Sequence, residues 1–129
     1  MTADLKYNDL TNVLDHQFPE FKDYLGEARE AMSDNVTIYF SFFSIYLKEN
    51  WNNAAVHWQL AQLLHQMQAS DDKATQVTLN EFLLDVCASC KEHGQDISLL
   101  TQHLEPALQE LLMHLNNLWL AAACQLPRG

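Results

Sequence analysis

Residues 36–47 read Val36-Thr37-Ile38-Tyr39-Phe40-Ser41-Phe42-Phe43-Ser44-Ile45-Tyr46-Leu47, and whether this run is a strand or a helix decides the fold. β-Branched and aromatic side chains crowd it, and composition alone favours a strand. A half-buried strand, however, alternates apolar and polar positions, whereas here Phe and Tyr fall on both faces of any alternating pattern. The run also continues through Lys48-Glu49-Asn50, about fifteen residues in all, which is long for a strand and ordinary for a buried helix. A helix is therefore predicted.

Helical signals extend in both directions. Upstream, a first helix is expected from Leu5 to about His16, opened by Thr2 or Asp4, with Leu10, Val13 and Leu14 inward. Phe18-Pro19 breaks it, and Pro19 is suited to the first position of a second helix running to Ser33-Asp34-Asn35, which can cap the next. Downstream, Asn52-Asn53 caps a helix from Ala54 to about Ala69 with Val56, Leu60, Leu63, Leu64 and Met67 on one face. Ser70-Asp71-Asp72 starts a further helix to about His93, with Gly94 as its C′ residue. Asp96 opens a short turn or helix through Leu104. Glu105-Pro106 begins the last helix, to about Ala123, with Leu108, Leu111, Leu112, Leu115, Leu118 and Trp119 inward and a tail beyond. The expected fold is all-α, one domain over residues 1–129. Its six or seven helices would form an antiparallel bundle or a short stack of helical hairpins, as in HEAT-type proteins, although no exact repeat is present.

The second helix carries the clearest functional signal. Glu20, Asp23, Glu27, Glu30 and Asp34 are separated by three, four, three and four residues, and on a continuous helix they form one narrow stripe. Phe18, Phe21, Leu25, Ala28 and Met32 take the opposite side, with Lys22 and Arg29 on the flank. Like charges at this spacing cost a helix a few tenths of a kcal/mol each, so the stripe does not serve folding. It suits a cationic visitor.

Composition agrees. The chain has 129 residues, 17 acidic against 7 basic, and a net charge of −10, with a pI near 4.7. Nucleic acid and anionic membrane are poor partners for such a surface, and a basic protein is a good one. No run approaches the 18 apolar residues of a membrane span, and no basic segment followed by an apolar run opens the chain. With three cysteines, an odd number, the expected location is cytoplasmic.

Other motifs carry little chemistry. Cys87-Ala88-Ser89-Cys90, with His93 beyond, invites a zinc or redox reading, but both cysteines share the face of Leu79, Phe82, Leu83 and Val86 and read as core. His16, His57, His65, His93, His103 and His114 are scattered without a ligand pattern and read as surface residues. With three glycines there is no phosphate-cradling loop, and no nucleophile elbow or Ser/His/Asp order stands out. Neither a catalytic residue, a metal ligand nor a cofactor is assigned. Trp58 lies away from the apolar face of its helix, and so is either packed on a second side or exposed as an anchor; Trp51, at a helix junction, reads as a packing plug.

The order Phe18-Pro19-Glu20-Phe21, the aromatic helix, and Phe82-Leu83-Leu84 following Ser70-Asp71-Asp72 resembles small acidic all-helical proteins of bacterial polymorphic-toxin and contact-dependent growth inhibition loci. The resemblance spans roughly Phe18 to Leu115. It implies immunity to a cognate toxin, with no catalytic residue and with contact residues that vary between pairs. The expected function is thus an inhibitor that neutralises a basic toxin, a nuclease domain foremost. It would act through Glu20, Asp23, Glu27, Glu30 and Asp34, with Tyr24 or Trp58 as anchor. The alternative is an acidic DNA mimic or regulator that sequesters a DNA-binding protein; a helical enzyme or metal carrier stands third.

Overall fold

The computed structural model describes residues 5–32 and 34–125, and side chains as far as residue 118. The stretch 36–47 is helical: α4 spans Val36–Glu49, and no strand occurs among the described residues. Around it lie α1 (Leu10–Gln17, entered through a 3-10 turn Tyr7–Asp9), α2 (Pro19–Leu25), α3 (Ala28–Met32), α5 (Ala54–Ala69), α6 (Lys73–His93), α7 (Ser98–Thr101) and α8 (Pro106–Gln125). The first helix therefore begins later than expected, and Thr2 and Asp4, read as its openers, lie outside the described residues, as does Ser33. So do the side chain of Trp119 and residues 126–129 of the expected tail.

Local chemistry sets these boundaries. Pro19 opens α2, where its missing N–H is no loss. Asn35 accepts from the Ile38 N–H, Asn53 from that of Ala55 and Asp72 from that of Thr75, so three short polar side chains cap α4, α5 and α6. Gly94 ends α6 in the left-handed region at φ 62°, its N–H returning to the Cys90 carbonyl. The Asp72 carboxylate also takes the Tyr7 N–H at 2.9 Å, and the Thr75 and Tyr7 bonds hold it below the usual carboxylate range. Gln76 closes the end of α5 by donating to the carbonyls of Met67, Gln68 and Ser70.

The long central helix is α6, packed against α4, α5 and α8. Its core face is the expected one, with Leu79, Phe82, Leu83, Val86, Cys87 and Cys90 all buried. Burial pushes the Cys87 thiol up to about 11 and the Cys90 thiol to about 12, so both stay protonated at neutral pH and act as small apolar groups. His93 donates to the Ser89 carbonyl of its own helix. On α4, Tyr39, Phe40, Phe43, Tyr46 and Leu47 turn inward. The Phe43 ring meets Phe18 at 4.8 Å, Phe21 at 5.1 Å and Phe82 at 5.7 Å, so one side chain joins the α1–α2 junction, α2 and α6. Leu118, expected inward, is half exposed on the outer side of α8.

His57 corrects the reading of the histidines as surface groups, because it is buried. Trp51 accounts for this. It is buried as the expected plug, donates its indole N–H to the Asp96 carbonyl at 2.9 Å, and stacks edge-on against His57 with ring centres 4.5 Å apart. The backbone carbonyl of Trp51 accepts from His57 Nε2, which fixes the neutral tautomer and leaves Nδ1 as a buried lone pair without a partner. Charging that ring places an N–H in the core with no acceptor, and burial accordingly holds the His57 pKa below its ordinary value. The unfolded chain takes up this proton near pH 6.5 and the folded one only at lower pH. Stability from this site is thus complete above about pH 6.5 and is lost as pH falls toward the folded value. Denaturation midpoints at about pH 7.5 and 5.5 should drop for the natural chain and drop distinctly less for His57→Gln; equal slopes would refute the assignment.

Candidate acidic interface

The acid-striped helix is not continuous. Gly26 stands between α2 and α3 at φ 58°, ψ −132°, a conformation that side-chain-bearing residues rarely adopt, and the chain turns there. The single straight stripe predicted from the spacing is therefore replaced by a bend: Glu20 and Asp23 lie on α2, Glu27 in the turn, Glu30 on α3, and Asp34 just before α4. This break also explains why eight α-helices are found among the described residues rather than six or seven.

All five carboxylates face solvent. The bend makes a concavity of about 660 Å³ lined by Lys22, Asp23, Gly26, Glu27, Arg29 and Glu30. Asp23, Glu27 and Asp34 have no side-chain partner among the described residues, and Glu20 lies over the Tyr46 hydroxyl, whose pKa is raised by burial and by that carboxylate. The guanidinium in the concavity's wall is engaged elsewhere. Arg29 Nε donates to Asp15 at 2.8 Å, its Nη2 bonds the same carboxylate, and Tyr39 donates its hydroxyl to the other oxygen of Asp15. Hydrogen bonding to Asp15 raises the Arg29 pKa further, and burial followed by Asp15 raises that of Tyr39. Arg29 thus pins α3 to α1 and α4 and contributes its charge inward. Sequence reasoning placed Arg29 on the flank and missed Asp15; partners 14 and 24 residues apart leave no local pattern.

Of the two expected anchors, Tyr24 belongs with the acids. It is 46% exposed, its ring centre is 5.6 Å from that of Tyr46, and its hydroxyl reaches Glu49 at 3.5 Å. Trp58, at 58% exposure, is an exposed residue rather than one buried on a second face. It stands on α5, which packs on α1, α6, α7 and α8, whereas α2 and α3 pack on α1 and α4. The structure does not bring Trp58 to the carboxylates.

No family model matches this chain, and neither does any curated protein or solved structure with which it was compared. No helix among the described residues is long and apolar enough to cross a membrane.

Proposed function

We propose that the protein is a non-enzymatic inhibitor that binds a basic partner protein through the acidic bend of residues 20–34. The partner class that fits best is the nuclease domain of a cognate toxin, whose lysines and arginines, used for holding phosphates, are occupied by these carboxylates in the cytoplasm. The observation that carries this reading is the exposure of all five carboxylates while Arg29 is turned to Asp15 and Tyr39. The net charge of −10 adds a long-range field of the same sign. The resemblance to immunity proteins points the same way.

Opposed fields of this kind raise association rates by about 10–1000-fold at low salt, and the gain fades as salt screens it. With the partner captured from the source cells, Glu27→Lys combined with Glu30→Lys should slow association about tenfold or more at low ionic strength and flatten its salt dependence. Unchanged rates would remove the acidic bend from the mechanism. The captured protein itself separates the two readings: a nuclease domain supports inhibition of a toxin, and a repressor or sigma factor supports a DNA-mimicking regulator.

A further inference from the structure

The outer side of α4 carries an apolar row that folding does not use. Ile38, Phe42 and Ile45 are 39–43% exposed. At positions i, i+4 and i+7 they fall within an arc of about 60° over two turns, a length of about 10 Å. Elsewhere Tyr24 on α2, Trp58 on α5 and Val77 on α6 stand singly, and Met113 and Leu118 on α8 are about 140° apart around their helix, whereas these three are contiguous.

The charges at the two ends of the row and along its α2 side are acidic, while Lys73 lies across the other flank, beside Thr37. Asp34 lies just before the Asn35 cap of α4 and Glu49 ends the helix, and both are exposed. Phe42 lies about 40° around the helix from Tyr46, the residue against which Tyr24 and Glu20 are placed. The row therefore runs beside the α2–α4 seam, on the side of the acidic bend. Lys48, the cation of α4, lines the crevice with Val86, Ser89 and Cys90 on the α6 side instead.

We propose that this row is the affinity-determining anchor of the same interface, and that its occupant is an amphipathic helix of the basic partner, with lysines and arginines bordering an apolar stripe. This inference rests on the reading of residues 20–34 as a face for a cationic protein. Two helical turns of exposed aliphatic and aromatic side chains form a ridge against which the apolar stripe of another helix packs. Carboxylates at both ends and along one side select a positively charged helix. A second copy of this chain fits poorly, because antiparallel pairing of two α4 helices sets Asp34 of one against Glu49 of the other.

The test titrates labelled full-length protein with an amphipathic helical peptide of leucine and lysine in heptad spacing. A glutamate-for-lysine counterpart and a scrambled lysine peptide without an apolar face run alongside. Binding of the leucine–lysine peptide, with amide shifts centred on residues 38–45 and Tyr24, is expected. Phe42→Ser combined with Ile45→Ser should weaken it about tenfold or more, and the glutamate peptide should not bind. Ile38→Ser serves should circular dichroism show the double variant misfolded. Shifts confined to residues 20–30, with affinity unmoved by the α4 substitutions but lost on Glu27→Lys/Glu30→Lys, would overturn the anchor and leave the acidic face standing. Affinity that responds to neither pair of substitutions, or no binding at any salt concentration, overturns both. A dimer in sedimentation that the α4 substitutions dissociate would assign the row to a second copy and overturn the proposed occupant.

Discussion

Truncating Phe43 to alanine is expected to destabilise the protein by about 3–5 kcal/mol, the range for removing a large aromatic side chain from a close-packed core. That is a large part of the roughly 5–15 kcal/mol that holds an ordinary domain together. The ring is fully buried and touches Phe18, Phe21 and Phe82, so the cavity opens where α1, α2 and α6 meet α4, and rigid neighbours on every side limit its collapse. Its neighbour in sequence is the control. Phe42 is 39% exposed, and Phe42→Ala should cost less than about 1 kcal/mol. Urea midpoints with equal slopes measure both. Similar losses at the two positions would mean that the phase of α4 is wrong, and with it the outer row of Ile38, Phe42 and Ile45.

Asp15→Ala should cost about 2–3 kcal/mol, and lower the melting temperature by roughly 10 °C in a chain of this size. Tyr39 is fully buried, and without Asp15 its hydroxyl has lost its acceptor. Arg29 loses its anion at the same moment, and although its side chain keeps 24% exposure, water replaces the carboxylate only in part. Asp15→Asn retains an acceptor but no charge and should fall between the two. Arg29→Ala leaves the Asp15–Tyr39 bond in place and should cost about 1 kcal/mol, and the double variant should show coupling of comparable size. The consequence reaches the proposed interface: Arg29 is how α3 holds to α1 and α4, so its release alters the shape of the concavity that Glu27 and Glu30 help to line. A loss below about 0.5 kcal/mol for Asp15→Ala would show that this network does not fix α3.

What the sequence revealed was chiefly what short-range chemistry determines. The helical state of residues 36–47 followed from length and from the absence of alternation. Pro19, Asn35, Asn53, Asp72 and Gly94 marked helix ends because each acts within a turn of its own position. Apolar periodicity located the inner faces of α5 and α6 residue by residue. It failed at Gly26, where the three- and four-residue spacing of both acids and apolar residues carries on through the glycine; a lone glycine costs a helix only about 1 kcal/mol, and packing decided for the turn. Ala28, placed on the docking side by that spacing, is consequently exposed. His57 was misjudged because its burial depends on Trp51, which folds over it from outside the helix.

The candidate site was legible in its residue types rather than in its shape. Five carboxylates and Tyr24 were evident from spacing and composition, and all six are exposed where the chain bends. The separation of Trp58 from them, the inward pairing of Arg29 with Asp15, and the apolar row of α4 beside them are products of tertiary packing. No periodicity within a single segment encodes them. In a run where almost every position is apolar, nothing local separates the exposed Ile38 and Ile45 from the core positions.

The central claim, that the acidic bend of residues 20–34 receives a cationic protein, is tested most directly by zero-length carbodiimide coupling in extract of the source cells. That reagent joins a carboxylate only to a lysine amine in contact with it. Mapped by mass spectrometry, the bonds are expected on Asp23, Glu27 and Glu30, to lysines of one basic protein domain. Bonds spread over exposed carboxylates elsewhere in the chain, such as Asp71, Glu81 and Glu110, with none enriched between residues 20 and 34, would contradict it.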